Sequence, residues 1–235
     1  MIGRVATLVA RTQLTRGRLV ALLSIGAFAV FLGMAIGEGN GTRQISDTLD
    51  MTQGYGLQLL APVVSLVLAS AALGDFVDDR TLVYLWLRPV PRWQISVGAA
   101  IASVGTALPL VVIPVTLAAY IGSADLTVAV GAAAASTIAT LGYAGVFLAL
   151  GFKARRALVW GLAYILIWEG FLARSVSFCA KLSISVYARS LLAHIADGEL
   201  PKHAATTTAA LVWPPIVAAV AVYLTARWLH STEVA

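Results

Sequence analysis

Side chains that could do chemistry are few and widely spaced in this chain. Glu169 is the one acidic residue well inside a long apolar stretch, and it has no acidic companion there. His194, His203 and His230 fall outside such stretches, and Cys179 is the single cysteine. Catalysis within a membrane needs paired carboxylates, a Ser–His pair or a histidine-rich metal site. The sequence therefore predicts that this protein is not an enzyme.

The composition is that of a polytopic membrane protein. Of the 235 residues, 60% are hydrophobic and only 11% are charged, whereas soluble domains carry about 25% charged residues. The mean hydropathy of +0.88 agrees with this class. We interpret the net charge of +5 as Lys and Arg that hold loops in the cytoplasm, not as a nucleic-acid surface. The sequence thus disfavours a soluble enzyme, a disulfide scaffold and a disordered chain.

Six apolar stretches are long enough to cross a bilayer, which takes about 20 residues in a helix. They predict spans at 19–36, 57–73, 95–121, 126–150, 158–176 and 209–228. Small residues are dense in the fourth stretch, which permits close packing between helices. We therefore expect an all-α membrane protein with a single transmembrane domain over residues 1–235.

Lys and Arg near the span ends predict the orientation, because cytoplasmic loops carry an excess of them. With both termini in the cytoplasm, 11 of these residues lie in inner segments and 5 in outer ones. We expect an integral protein of a bacterial plasma membrane.

Two segments outside the spans have helical character. The spacing of apolar residues and arginines in 1–18 predicts an amphipathic interfacial helix, with apolar residues on one side and arginines on the other. The alternative is a basic flank that only sets the topology. The outer segment 177–208 has partial helical periodicity, and it either dips into the outer leaflet or lies on it.

The inner loop at 74–94 is the part of the sequence that says most about function. Its three acidic residues come first, where the N-terminus of a helix favours negative charge. Apolar residues follow at helical spacing, and Pro89 and Pro91 end the predicted helix. Because such a helix exposes apolar side chains on most of its surface, it must pack against lipid, the bundle or another protein.

This loop resembles a loop of the permease subunits of type-2 ABC transporters. The family pattern is an acidic cluster, Thr-Leu, a few apolar residues, a proline and an arginine. The matching residues are Asp78, Asp79, Arg80, Thr81, Leu82, Leu85, Leu87, Pro89, Val90, Arg92 and Trp93. The family often has a lysine shortly afterwards, and Val97-Gly98-Ala99 stand there instead. The predicted layout of an interfacial helix and six spans also fits the family.

The resemblance implies that the 74–94 loop is a coupling helix that docks on a separate ATPase subunit. The implied contacts to that subunit are Asp78, Asp79, Arg80, Thr81, Leu82, Leu85, Leu87, Pro89 and Arg92. A re-entrant turn that only packs against the bundle is the alternative. The sequence has no Gly-x-x-x-x-Gly-Lys-Ser/Thr motif, so this chain is expected to bind no cofactor, with ATP and Mg²⁺ on the partner. The implied assembly pairs two permease chains, as a homodimer in lipid, with two ATPase chains.

Glu169 is the one further candidate residue. A charged side chain at the bilayer centre costs at least about 2.5 kcal/mol, so Glu169 should be protonated, paired or exposed to a wet cavity. Arg174 is a possible partner. Glu169 either lines a translocation path or makes a structural hydrogen bond between helices.

The sequence as a whole favours the permease subunit of an ATP-driven exporter. The alternatives are a polytopic membrane enzyme and a non-transporting membrane scaffold for an ATPase.

Overall fold

The structure, a computed structural model, describes residues 2–39, 43–78, 92–154 and 156–231. Within these ranges the chain is helical and contains no strand. Five helices are long and apolar enough to cross a membrane, namely Arg16–Gly37, Gln44–Gly74, Trp93–Ser123, Leu126–Lys153 and Thr207–Leu229. A shorter apolar helix, Ala157–Leu172, covers most of the fifth predicted span. These helices agree with the expected all-α membrane protein.

The α-helices follow one another with short connections. They are α1 (Ile2–Gln13), α2 (Arg16–Gly37), α3 (Gln44–Met51), α4 (Ala61–Asp78), α5 (Arg92–Ser123), α6 (Leu126–Lys153), α7 (Ala157–Ala163), α8 (Ala173–Ser175), α9 (Ser177–Ala180), α10 (Ile184–Ile195) and α11 (Thr207–Ser231). Two π-helical segments, Thr52–Leu60 and Tyr164–Leu172, join α3 to α4 and α7 to α8 without a break. Such segments are rare and are frequent at functional sites.

The helix that contains the second predicted span is longer than the sequence indicates. It begins at Gln44 instead of Leu57, so the polar connection expected before that span is largely helical. Tertiary contacts explain the difference, since the Tyr55 hydroxyl donates to the Ile25 carbonyl at 2.9 Å and its ring packs edge-on against Phe28. These contacts to α2 hold a Gly-rich stretch in a helix that its composition alone would not favour.

Contacts between helices define two ends of the bundle. At the first, called the α1 end, Gly98 of α5 faces Val5, and Gly151 of α6 faces Ser70 of α4. At the opposite end, Gly37 of α2 faces Ile121 of α5. The end of α4, the start of α5, the end of α6 and the last turns of α11 all lie at the α1 end.

Helix α1 covers Ile2–Gln13, a shorter range than the predicted 1–18 because Arg16 already begins α2, and its apolar side packs on the bundle. Val9 and Gln13 are buried, and most contacts of α1 are to α5. The Gln13 side-chain amide donates to the Leu68 carbonyl at 3.1 Å and to the Ser103 hydroxyl at 2.9 Å. Its carbonyl accepts from the Thr106 hydroxyl at 3.0 Å. Gln13 thereby ties the end of α1 to α4 and α5.

Small residues allow the helices to approach closely, as the fourth stretch predicts. A Cβ atom built on Gly145 would lie 2.5 Å from the Cα atom of Ala218, and one on Gly151 would lie 2.6 Å from that of Ser70. Helix α6 therefore contacts α11 and α4 backbone to backbone, in the manner of small-residue packing in membranes.

Candidate functional site

The residues predicted to couple to an ATPase fall mainly outside the described ranges. Asp78 ends α4 and Arg92 begins α5. Asp79, Arg80, Thr81, Leu82, Leu85, Leu87 and Pro89 lie between them and are not described. Helix α5 starts directly after Pro91, in agreement with prolines that separate the loop from the next span. The two helix ends that bracket the loop lie together at the α1 end.

The second site lies in the interior, where the helical segment that begins at Ala157 meets helix α10. Helix α7 and its π-helical continuation run from the α1 end towards the middle of the bundle. Helix α10 then starts beside Gly142 of α6, where Ile184 packs, and ends beside Gly131, where Ile195 packs. Since Gly142 lies near the midpoint of α6, α10 begins at mid-depth and runs to the opposite end, antiparallel to α6. Part of the segment 177–208 therefore dips into the bundle.

Glu169 lies where these two pieces meet. It belongs to the π-helical segment Tyr164–Leu172, and its side chain is only 2% exposed. The Ile184 backbone N–H and the Tyr164 hydroxyl each donate to Glu169 Oε1 at 3.1 Å. The Ser185 hydroxyl donates to Oε2 at 2.7 Å, and the Ser183 hydroxyl also donates to Oε2. The carboxylate thus accepts four hydrogen bonds.

Three of the four donors belong to the start of α10. Ser183 is the N-cap of that helix, and its hydroxyl oxygen also accepts from the Val186 N–H. The first N–H groups of a helix have no partner within the helix, and the helix dipole favours negative charge at this end. Hydrogen bonds to a carboxylate are among the stronger ones in proteins. Glu169 thereby accepts hydrogen bonds from donors at the buried N-terminus of α10, and these donors stabilise the buried side chain.

Aromatic side chains enclose the site on the side of the α1 end. Tyr143 stacks on Phe147 with ring centroids 5.8 Å apart, and Phe147 meets the edge of Tyr164 at 5.9 Å. Tyr164 stacks in turn on Trp168 at 6.4 Å. The Tyr143 hydroxyl is buried near Glu169 without a hydrogen bond of ordinary geometry. The rings separate the carboxylate from that end of the bundle.

A small polar cavity adjoins Glu169 on the other side. It has a volume of about 80 Å³, and Glu169, Ser185, Arg189, Lys202 and His203 are among its lining residues. The Ala205 N–H donates to the Ser190 hydroxyl at 3.0 Å, which holds the 196–206 connection against α10. The cavity has room for water, and its basic side chains partly offset the charge of the carboxylate.

The structure places Glu169 among polar partners that the sequence analysis did not name. Ser183 and Ser185 were missed because they are 14 and 16 residues away in the chain. One signal was available, since a serine directly before the apolar positions of α10 is typical of an N-cap. The side chain of Arg174, the partner considered from the sequence, is outside the described part of the structure.

Comparison with known proteins does not identify a family for this chain. No family model matches the chain, and no curated protein sequence does. The functional argument therefore rests on the residues and on the geometry.

Proposed function

We propose that this chain is the membrane-spanning permease subunit of an ATP-driven exporter. In this proposal two copies form the translocation path, and each copy is coupled through the 74–94 loop to an ATPase on a separate chain. The observation that carries the proposal is the loop sequence, from Asp78 through Pro89 to Arg92, placed between two long apolar helices.

The arrangement of the described helices supports a six-crossing layout. Five long helices account for five crossings. Helix α7 with its π-helical segment, followed by α10, accounts for the remaining one in two pieces. The chain then returns through α11, so that α1, the end of α4, the start of α5 and the C-terminal turns of α11 share one end. This is the arrangement that a cytoplasmic ATPase contacting the loop and the N-terminal helix would require.

Charge at that end supports a cytoplasmic orientation. Arg11, Arg16, Arg156 and Arg227 are exposed near the α1 end, and Lys153 lies 5.6 Å from the ring centroid of Trp228. Cytoplasmic ends of membrane helices are enriched in such residues. We therefore assign the α1 end to the cytoplasm.

Co-purification tests the proposed partner. The tagged chain is expressed together with a candidate Walker-type ATPase chain, extracted in mild detergent and purified, and the bound chains are identified and counted by mass spectrometry. We expect a subunit with a Walker A motif, in equal number to the permease chain. If no nucleotide-binding chain is retained, and adding the ATPase restores no complex, the proposal is wrong.

A further inference from the structure

A long apolar groove lies on the outer surface of the bundle between α5, α6 and α11. Its volume is about 720 Å³, within the usual range for ligand sites. Small residues form its floor and larger ones its walls, among them Trp93, Ile101, Gly105, Gly145, Ala218 and Tyr223. The groove is separate from Glu169.

The length of the groove matches one leaflet of a bilayer. Along α5 it extends from Trp93 to Gly105, which is about 18 Å at 1.5 Å per residue. Half of a hydrocarbon core of about 30 Å is roughly 15 Å. The groove therefore runs inward from the α1 end over about the length that an acyl chain occupies in one leaflet.

Gly105 is a glycine that contacts within the chain do not explain. Glycine in the interior of a helix is less favourable than alanine. At Gly145 the close approach of Ala218 requires it, whereas a Cβ atom built on Gly105 would meet nothing within 4 Å. The open space beside Gly105 is the groove itself, so a glycine at this position leaves room for an occupant from outside the chain.

The mouth of the groove carries the side chains that fit a lipid headgroup. Trp93 and Tyr223 are 52% and 65% exposed there, and such aromatic residues favour the membrane–water boundary. Arg227 follows Ala226, a lining residue, and is exposed. An arginine in this position offers a bidentate partner for a phosphate.

We propose that this groove binds one acyl chain of an anionic glycerophospholipid of the leaflet at the α1 end, with its phosphate at Arg227. The inference requires only that these helices lie in a bilayer, so it does not depend on the transporter assignment. A second copy of the chain is the rival occupant, and the experiment distinguishes the two.

Lipid retention tests the proposal with variants that fill the groove. The full chain is reconstituted with equal phosphatidylglycerol and phosphatidylcholine, extracted, and analysed by native mass spectrometry under conditions that strip bulk lipid. Gly105→Leu places an apolar side chain in the groove, and its Cβ atom meets nothing within 4 Å. Gly54→Leu is the matched control, because a Cβ atom at Gly54 also meets nothing within 4 Å and lies outside the groove.

We expect one phosphatidylglycerol per chain in the wild type and in Gly54→Leu, and at least a tenfold loss in Gly105→Leu. Arg227→Gln should retain lipid without preference for phosphatidylglycerol. Thermal unfolding of Gly105→Leu at or above the wild-type temperature shows that the fold is intact. Equal retention by Gly105→Leu and the wild type would overturn the proposal. So would disulfide formation between copies by a Gly105→Cys variant in a Cys179→Ser background, since the groove would then face a second copy.

Discussion

Glu169 shows how one carboxylate can join two helical segments, Tyr164–Leu172 and α10. Its four donors come from its own π-helical segment and from the start of α10. Without an acceptor, the Ile184 N–H would be buried unsatisfied, which costs roughly 1–3 kcal/mol. This single side chain therefore stabilises the contact between the Tyr164–Leu172 segment and α10.

Replacement of Glu169 by leucine should destabilise the protein more than replacement by glutamine. In Glu169→Gln the amide oxygen can still accept from Ile184, and the amide nitrogen can donate to the hydroxyl oxygens of Ser183 and Ser185. We expect a loss of about 1–3 kcal/mol for glutamine and a clearly larger one for leucine. Unfolding temperatures measured in detergent rank the stabilities of the two variants. Equal unfolding temperatures for the two variants would show that the hydrogen bonds contribute little.

The glutamine variant also decides between the two roles that the sequence left open. A residue that lines a translocation path should alter transport or the coupling of ATP hydrolysis to transport when its charge is removed. A purely structural hydrogen bond should alter only the unfolding temperature. Unchanged transport and coupling in folded Glu169→Gln would exclude the path-lining hypothesis.

The hydrogen bonds of Gln13 are expected to hold α1 against the bundle. In Gln13→Leu the hydrogen bonds to Leu68, Ser103 and Thr106 are lost, at a cost of roughly 1–2 kcal/mol. A loss of about 1.4 kcal/mol raises the detached fraction tenfold. Trypsin should then cleave at Arg16 several times faster than in the wild type, because cleavage follows the open population. A cleavage rate equal to that of the wild type would show that the apolar side of α1 alone holds the helix.

At the scale of helices, apolar length was sufficient to predict most of the fold. The five long helices overlap five of the six predicted spans. The sequence did not predict either π-helical segment, because periodicity does not report a local change in hydrogen bonding. The prediction of 158–176 as one span overlaps an unbroken helical segment over 157–175. The sequence did not predict that α10 starts beside Glu169, because the polar partners of Glu169 come from α10 and are visible only when that helix is placed beside α6.

Close contact between α4 and α6 predicts opposite effects of alanine at two glycines. Gly151→Ala would place a Cβ atom 2.6 Å from the Ser70 Cα atom, so the two helices must separate. Gly105→Ala meets no atom within 4 Å and gains about 1 kcal/mol of helix propensity. We expect a lower unfolding temperature for Gly151→Ala and an equal or higher one for Gly105→Ala. A stable Gly151→Ala protein would contradict the packing described at this contact.

At the scale of the whole molecule, the bundle divides into an α1 end and an opposite end. The α1 end contains exposed Arg11, Arg16, Arg156 and Arg227, the two helix ends that border residues 79–91, and α1 itself. The opposite end receives α10 and the 196–206 connection, with the Glu169 cavity between them and the middle of the bundle. Motion at the loop would reach Glu169 through α4 and α5, which both pack against α6. We therefore expect the loop to control the whole assembly.

Coupling of ATP hydrolysis to transport, in vesicles that contain the chain and its ATPase, tests the central claim most directly. Leu85→Asp with Leu87→Asp places charge on the apolar residues that the proposal puts against the ATPase. Wild-type vesicles should hydrolyse ATP faster in the presence of a transported cargo and should accumulate that cargo. The double variant should insert normally and lose both cargo stimulation and accumulation. Full transport by the double variant would contradict the account.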